Sequence, residues 1–382
     1  MYQEVSKDLM SFIQQSPTAF HAVDTMKKEL KAQGYQELSE SQSWIVKPSG
    51  KYFVTRNQSS IIAFHLGEDL ENYSFQIVAS HSDSPTFKLK ENTEVEVKNH
   101  YMLLNTEGYG GMICASWLDR PLSIAGRVMV RQEGTYQTRL LCFDRDLVLI
   151  PSVAIHMNRS VNEGYAYNKQ IDMLPLLGGQ ECQSGDLKKL IAEELGISID
   201  DIYGSDLYLY NRMAPSIWGM HDEFISSPRL DDLQCAYTSL QGFLKGHHPQ
   251  SIQVFACFDN EEVGSSTKQG AASTFLYDVL YRIHHALKKP EEDFYRAISS
   301  SFMLSADNAH AVHPNHPEKT DQQNCVYMNQ GVVVKSHAGQ KYTSDALSIA
   351  VFKGLCEKAH VPVQFFANRS DTIGGSTLGN IA

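Results

Sequence analysis

The sequence predicts an α/β protein in which a β-rich segment interrupts a domain of alternating strands and helices. The chain has 382 residues, of which 42% are hydrophobic and 20% charged, which suits a sizeable core and most simply two domains. Strand-like and helix-like runs alternate before residue 90 and after residue 220. Between them, short apolar–polar alternations and glycine turns indicate a β-rich texture. We therefore expect a discontinuous domain from residues 1–90 and 221–382, and an inserted domain from residues 91–220.

The first ninety residues predict two helices and then three strands. Apolar residues near helical spacing predict a helix over residues 3–15. Ser16-Pro17 ends that helix and starts a second one, which runs to about Gln33. The strand-like runs that follow are Lys51–Thr55, Ser60–Leu66 and Ser74–Ser80.

The predicted insert alternates apolar and polar residues, as in Glu94–Lys98 and Gly126–Val130. It also contains a helical stretch, Gly185–Leu195, and a strand, Asp206–Tyr210. After Trp218 the α/β alternation resumes, with predicted helices Leu230–Leu244, Ala271–Leu287 and Thr343–Lys358 and predicted strands Ile252–Phe258, Phe302–Ala306 and Gly331–Lys335. Strands and helices that alternate at these lengths favour a mainly parallel sheet covered on both faces.

Composition excludes several classes of function. A formal net charge of -11 argues against general affinity for nucleic acid or for an anionic membrane. No apolar stretch reaches the roughly 18–20 residues of a membrane span, and the N-terminus mixes charges into an amphipathic pattern unlike a signal peptide. The seven cysteines are scattered without a CxxC pair, which predicts reduced thiols and a cytoplasmic protein.

The most informative segment is Phe255–Gly264, an apolar run that ends in Asp-Asn-Glu-Glu and a glycine. Two adjacent carboxylates at the mouth of a buried strand, Glu261 and Glu262, repel each other unless a cation lies beside them. In a metallohydrolase one such carboxylate binds the metal and its neighbour carries the water proton. A charged turn after a strand is the equally weighted alternative.

Three further segments place metal-binding residue types at predicted strand or helix ends, where open α/β sheets bind ligands. His81 and Asp83 follow a strand, and Asp83 could fix the tautomer of His81. Asp231 and Asp232 open a helix, where capping alone would explain them. Asp307 follows a strand and precedes His310 and His313, which would share a face if that turn were helical.

The hypothesis of a metal site depends on these segments lying close together in the fold. His81, Asp231, Glu262 and Asp307 are nitrogen and oxygen donors suited to zinc, manganese or cobalt. Glu261 remains as the proton carrier.

At these residues the chain resembles the M18 family of metallo-aminopeptidases, the aspartyl aminopeptidase family. The matching segments cover essentially the whole chain and include ASHSDSP at 79–85, WLDRPLSIAGRV at 117–128, IPSVAIHMNRSVNEG at 150–164, SPRLDDL at 227–233, DNEEVGS at 259–265, SADNAHAVHPN at 305–315 and GGSTLG at 374–379. The resemblance implies a zinc-peptidase α/β/α catalytic domain with an inserted β-rich domain.

The resemblance also implies a site with two zinc ions. His81 and Asp307 would bind one ion, Glu262 the other, and Asp231 would bridge them. Glu261 would be the general base and Asp83 would orient His81. A cis peptide bond is implied after Asp231.

The remaining implied roles concern substrate and assembly. His310, Lys335 and Tyr342 match positions that contact the peptide substrate, whose N-terminal residue would be removed and could be acidic. His156 matches a histidine that reaches into a neighbouring subunit, and the family forms homo-oligomers, typically dodecamers built from dimers.

The chain departs from the family pattern after Ala382, where family members continue with a segment whose histidine completes the second metal site. We therefore expect weak or no peptidase activity from this polypeptide. Two alternatives remain open at this stage. One is a related zinc amidohydrolase that deacylates N-acyl amino acids, and the other is a non-catalytic scaffold that keeps the fold and the oligomer.

Overall fold

The computed structural model describes residues 2–372, 374 and 375. The helices are α1 Tyr2–Gln14, α2 Ala19–Ala32, α3 Asp186–Leu195, α4 Leu230–Lys245, α5 Phe275–Ala286, α6 Glu291–Ser299 and α7 Ala346–Ala359. The strands are β1 Gln36–Glu37, β2 Lys51–Arg56, β3 Ser60–Leu66, β4 Ser74–His81, β5 Thr86–Val97, β6 Tyr101–Tyr109, β7 Leu122–Gln132, β8 Thr135–Cys142, β9 Leu176–Gly178, β10 Ile202–Asn211, β11 Ser216–Trp218, β12 Phe224–Ser226, β13 Ser251–Phe258, β14 Phe302–Ser305, β15 Val332–Ser336 and β16 Val363–Ala367. None of the helices described is long and apolar enough to cross a membrane.

The first sheet has six strands in the order β1-β2-β3-β13-β4-β14. Strand β4 pairs in parallel with both β13 and β14, and β1 pairs in parallel with β2. Strand β3 is antiparallel to its neighbours β2 and β13. The sheet is therefore mixed rather than purely parallel, because β2 and β3 form a hairpin that a short connection can close.

Strand β13 shows why this sheet lies between two helical layers. Ile252, Val254 and Phe258 face one hydrophobic cluster, which includes residues of α5 and α6. Phe255 and Cys257 alternate with them and face the opposite cluster, which includes residues of α1, α2 and α4. Because successive side chains point to opposite faces, a strand buried on both sides reads as the continuous apolar run that the sequence shows.

The second sheet contains six strands in the order β8-β7-β10-β5-β6-β9, and all of its pairings are antiparallel. Its core packs Phe87, Leu104, Ile124 and Val128 with the apolar face of α3. The strands of this sheet run from residue 86 to residue 211 along the chain. Two smaller pairings complete the described strands, β11 with β12 and β15 with β16.

Two helices start later than the sequence pattern predicts, and local hydrogen bonds explain both. The backbone N–H of Ala272 donates to the carbonyl of Ser265, so the residues before Phe275 close a turn. Helix α7 begins after Asp345, whose carboxylate accepts the backbone N–H of Ser348 at 2.7 Å in a capping box.

Candidate metal centre

The candidate centre lies where the carboxyl ends of three parallel strands meet. His81 is the last residue of β4 and pairs in register with Phe258, the last residue of β13. Glu261 and Glu262 follow β13 in a short 3-10 turn, and Asp307 follows the end of β14. Strand pairing thus brings together segments that lie far apart in the sequence.

Four acidic or histidine side chains converge at this edge. Among the residues described, the potential ligand atoms of His81, Asp231, Asp232 and Asp307 all lie within 4.8 Å of one another. The Nε2 atom of His81 is 3.5 Å from Oδ1 of Asp231 and 3.9 Å from Oδ2 of Asp232. Glu262 is outside this group, so the structure gathers three of the four predicted ligands and adds Asp232.

The buried carboxylate of Asp83 organises the centre. Its Oδ1 lies 3.3 Å from Nδ1 of His81 and accepts the backbone N–H of Glu261 at 3.1 Å. Its Oδ2 accepts the backbone N–H of Glu262 at 3.2 Å and the hydroxyl of Tyr109 at 2.6 Å. A single side chain therefore fixes both the histidine ring and the turn that carries the two glutamates.

These contacts decide the tautomer of His81. Its Nδ1 faces only acceptors, the backbone carbonyl of Asp83 at 3.1 Å and the carboxylate of the same residue, so Nδ1 carries a proton. The opposite nitrogen, Nε2, then presents a lone pair to Oδ1 of Asp231 at 3.5 Å. Two acceptors at that distance need a positive charge between them, which either a second proton or a metal cation supplies.

The two aspartates at the start of α4 differ sharply in environment. The peptide bond between Asp231 and Asp232 is cis, as the resemblance implies, and neither residue has helical φ and ψ angles. The side chain of Asp231 is 58% exposed, whereas Asp232 is fully buried. Oδ2 of Asp232 accepts the backbone N–H of His81 at 3.0 Å, and its Oδ1 has no hydrogen-bond partner.

Several buried carboxyl groups crowd together at the centre, which favours their protonated forms. Burial raises the pKa of Asp232 to about 7, and Asp307 adds to the shift while His81 opposes it. Burial likewise raises the pKa of Glu262 to about 8 and raises that of Glu261, again with neighbouring carboxylates reinforcing the shift. Burial lowers the pKa of His81, but hydrogen bonds to Asp231 and Asp83 outweigh it and hold that pKa well above its usual value.

A small cleft of about 100 Å³ opens beside the centre. Its lining includes Glu261, Asp307, His310, Lys335 and Tyr342. The structure therefore places three of the four predicted substrate contacts next to the predicted base. The segment that holds His310 and His313 is not helical, so the shared helical face considered for these histidines does not form.

Lys335 is held inside the cleft. Its Nζ donates to Oδ2 of Asp307 at 3.0 Å and to the backbone carbonyl of Asn308 at 2.6 Å. The ammonium group also lies 5.5 Å from the ring centroid of Tyr342, and the side chain is only 16% exposed. Lys335 is therefore not the solvated lysine that its strand-end position alone would indicate.

One predicted residue lies away from the centre, and two residues that support the centre were not predicted. His156 lies on an exposed turn of this chain and lines neither the cleft nor the larger cavity described below. Tyr109 and Asn260, whose side chains are hydrogen-bonded at 2.8 Å, support Asp83 from strand β6 and from the acidic turn. Nothing in the local sequence marks Tyr109, whereas Asp232 was visible as half of an acidic pair.

The acidic turn is also closely packed against the second sheet. Gly110 directly follows strand β6 and has a φ of +76°. A Cβ atom at this position would lie 2.9 Å from Cβ of Glu262. Only glycine combines this backbone conformation with such a close approach.

The donor set fits a divalent transition-metal ion. One imidazole nitrogen and several carboxylate oxygens, within 4.8 Å of one another, are the ligand types that zinc, cobalt and manganese accept in proteins. The facing acceptors on His81 and Asp231 call for a cation at this position.

Comparison with known proteins identifies the family. A family model described as Aminopeptidase I zinc metalloprotease (M18) matches residues 12–382. The chain belongs to the M18 family. It is 47% identical over 383 residues to the probable M18 family aminopeptidase 2 of Clostridium novyi, covering 99% of this chain and 88% of that relative. It is 39% identical to the protein of the same description from Pseudomonas aeruginosa, covering 100% of this chain and 89% of the relative.

Solved M18 structures share the fold. The structure of the Ape4 and Nbr1 complex superposes with a TM-score of 0.94 at 36% identity, covering 97% of this chain and 76% of that one. An mApe1 dodecamer from S. cerevisiae gives a TM-score of 0.85 at 25% identity, covering 96% and 86%. The predicted family, the α/β fold class and the enzyme class, a metallo-aminopeptidase and hence a hydrolase, are confirmed.

Proposed function

We propose that this M18 protein removes N-terminal residues from peptides at a site with two zinc ions. The observation that carries the proposal is the convergence of His81, Asp231 and Asp307 beside Glu261. In this assignment His81 and Asp307 would hold one ion, Glu262 would hold the other, and Asp231 would contribute to both. Cobalt or manganese would suit the same donors.

Zinc, when bound, supplies a Lewis acid that polarises the scissile carbonyl and makes water more acidic. Glu261 accepts the proton of the attacking water and then donates it to the leaving amine. Glu261 suits both steps because it lines the small cleft beside Asp307, at the edge of the proposed metal site. Asp83 acts through others, since it orients His81 and the turn that carries Glu261.

The small cleft would receive the first residue of the substrate. A cleft of about 100 Å³ has room for one side chain rather than for a peptide. His310 and Tyr342 line it, and Lys335 supplies a positive charge. An acidic N-terminal residue would share the ammonium group of Lys335 with Asp307, which supports a preference for aspartate or glutamate.

Assembly and domain division are part of the same proposal. The related mApe1 forms a dodecamer, and this chain is proposed to form a homo-oligomer of the same kind in the cytoplasm, with no nucleic-acid partner. Residues 91–220 would form the inserted domain that mediates assembly, and residues 1–90 and 221–382 the catalytic domain. His156, on its exposed turn, would reach the site of a neighbouring subunit.

Turnover of aminoacyl nitroanilides with added zinc, cobalt or manganese tests the function. Replacing the base in Glu261→Gln should lower kcat by about 10²–10⁴-fold while bound zinc stays the same. Glu357→Gln, on the exposed side of α7, is the matched control and should retain activity. Absence of both turnover and bound metal would contradict the proposal and favour the non-catalytic scaffold, whereas bound zinc with weak turnover would agree with the weak activity expected above. Cleavage of N-acylated substrates in preference to free amines would point to a deacylase.

A further inference from the structure

A second, much larger cavity also borders the candidate metal centre. It has a volume of about 800 Å³ and is bordered by the α1–α2 connection, the ends of β5 and β10, and the segment before α4. Asp231 lines this cavity, while Asp307 and Glu261 line the small cleft. Since Asp231 and Asp307 belong to one cluster, the small cleft and the large cavity border the same centre. We call the large one the junction cavity.

The walls of the junction cavity are mostly apolar. They include Met112, Ile113, Trp117, Met213 and Ile225. Ile113 and Met213 are strongly exposed, so the cavity presents hydrophobic surface to whatever enters it. A concave, mainly apolar space of roughly 300–1,000 Å³ with a few polar groups is typical of a ligand site.

Charge is distributed unevenly across the junction cavity. Three carboxyl groups, those of Asp83, Asp231 and Asp259, line the cavity together with two arginines, Arg120 and Arg229. Asp83 and Asp231 belong to the metal centre, and the arginines carry the positive charge of the cavity wall. Within the part of the chain described, neither arginine forms an ion pair, and Nε of Arg229 is buried without a hydrogen-bond partner. The guanidinium of Arg229 does donate to the backbone carbonyl of Ile13 at 3.1 Å, while that of Arg120 contacts only the sulfur of Met213.

This arrangement complements one end of a short peptide. A peptide bound with its N-terminal residue in the small cleft must pass its remaining residues beyond the metal centre. The junction cavity borders that centre through Asp231 and offers apolar walls with two arginines, neither of which is in an ion pair among the residues described. Arginine is the side chain best suited to hold a carboxylate in a partly desolvated site.

We propose that the junction cavity binds the portion of a short peptide that follows the cleaved bond, preferring apolar side chains and a free terminal carboxylate. The proposal rests on the proposed function and deepens it, because it names short peptides with an apolar residue after the cleaved bond as the substrate class. Arg120 is the more accessible contact for the carboxylate, since Arg229 already caps the end of α1.

Calorimetric binding of dipeptides to the Glu261→Gln variant tests the proposal, since this variant should not cleave them during the titration. Leu-Phe should bind at least tenfold more tightly than Leu-Gly, which has the same first residue, and more tightly than Leu-Phe amide. Ala214→Trp, which adds a large side chain at an exposed wall residue, should weaken binding of Leu-Phe about tenfold. Arg120→Met should abolish the difference between Leu-Phe and its amide. Ala359→Trp, at an exposed residue that lines neither cavity, is the control.

The possible outcomes distinguish failure of the cavity assignment from failure of the proposed peptidase function. Equal binding of all three dipeptides, or binding that Ala214→Trp leaves unchanged, overturns the proposal even if nitroanilides are cleaved. Selective binding without any cleavage leaves the cavity assignment standing and refutes the peptidase function. If Ala214→Trp alters the sedimentation coefficient of the protein and not dipeptide binding, the cavity is an interface between copies of this chain, which also overturns the proposal.

Discussion

The carboxylate of Asp83 accepts a hydrogen bond of 3.1 Å from the backbone N–H of Glu261, which lies 178 positions later in the sequence. The same carboxylate faces Nδ1 of His81, so one group sets the position of a proposed metal ligand and of the proposed base. The spacing between metal and base therefore does not depend on the glutamate turn alone. It depends on a buried acid at the end of a neighbouring strand.

Replacing Asp83 should loosen the metal site. In Asp83→Asn one acceptor oxygen becomes an NH₂ donor, which cannot accept the hydrogen bonds from both His81 and the glutamate turn. We expect zinc affinity to fall by about 10–100-fold, as measured by competition with a chromogenic chelator. Asp222→Asn, at an exposed residue, should leave zinc affinity unchanged. Unaltered zinc binding in Asp83→Asn would show that Asp83 does not position the site.

Asp232 should act mainly by supporting the backbone of His81. Asp232→Asn keeps an oxygen that can accept the N–H of His81 and removes the buried charge, so zinc affinity should change only a few-fold. Asp232→Ala leaves that buried N–H without a partner and should lower the free energy of unfolding by about 1–3 kcal/mol. Loss of zinc binding in Asp232→Asn would instead make Asp232 a metal ligand.

Lys335 should determine preference for the first residue. Lys335→Met removes the charge that faces Asp307 in the cleft, so kcat/KM for aspartyl and glutamyl substrates should fall roughly tenfold more than for leucyl substrates. The ratio of nitroanilide hydrolysis rates measures this preference. Lys358→Met, on the exposed end of α7, should not change that ratio. Equal losses for acidic and leucyl substrates would assign Lys335 to holding Asp307 rather than to recognition.

His21 predicts a specific acid sensitivity. It lies in the first turn of α2, where its Nδ1 meets the hydroxyl of Thr18 at 2.8 Å. Burial lowers the pKa of His21 to about 4, with Lys28 and Arg229 adding to the shift and Asp24 opposing it. Between about pH 6.5 and 4, His21 therefore binds a proton in the unfolded chain but not in the folded chain.

Stability should consequently fall as the pH falls through that window. The contribution of His21 is absent above about pH 6.5 and reaches at most about 3 kcal/mol of lost unfolding free energy near pH 4. Urea unfolding of the wild type and of His21→Gln at pH 7 and pH 4.5 measures it, and the variant should lose less stability between the two. Parallel losses in both proteins would contradict the assignment.

The central strand β13 should be intolerant of truncation. Phe255 is fully buried between the sheet and the cluster that contains Phe243 of α4. Phe255→Ala should lower the free energy of unfolding by about 3–5 kcal/mol, as measured by denaturant titration. Ile298→Ala, at a residue of α6 that is 40% exposed, should cost far less. A small loss for Phe255→Ala would mean that neighbouring side chains collapse into the space.

Local sequence patterns predicted the secondary structure more completely than they predicted the residues of the candidate site. The apolar run at β13 predicted a strand within one residue, because burial on both faces leaves a direct mark in the sequence. His81, Asp231 and Asp307 could be grouped because each ends or begins an element at the same edge of an α/β sheet. That rule concerns backbone position and does not depend on tertiary detail.

What escaped prediction depends on contacts between distant segments. The burial of Asp232 follows from its packing against His81, 151 positions away, while an acidic pair at a helix start normally indicates capping. The ion pair of Lys335 with Asp307 likewise joins two separate strands. The roles of Glu262 and His156 stay predictions, since one lies outside the ligand group and the other on an exposed turn.

At Gly110 the second sheet packs directly against the turn that carries Glu261 and Glu262. The end of β6 touches Glu262 so closely that there is no clearance for even one methyl group. A shift of that strand end toward the turn would therefore displace Glu262 itself. The end of β6 therefore leaves the acidic turn no room to move toward the second sheet at this point.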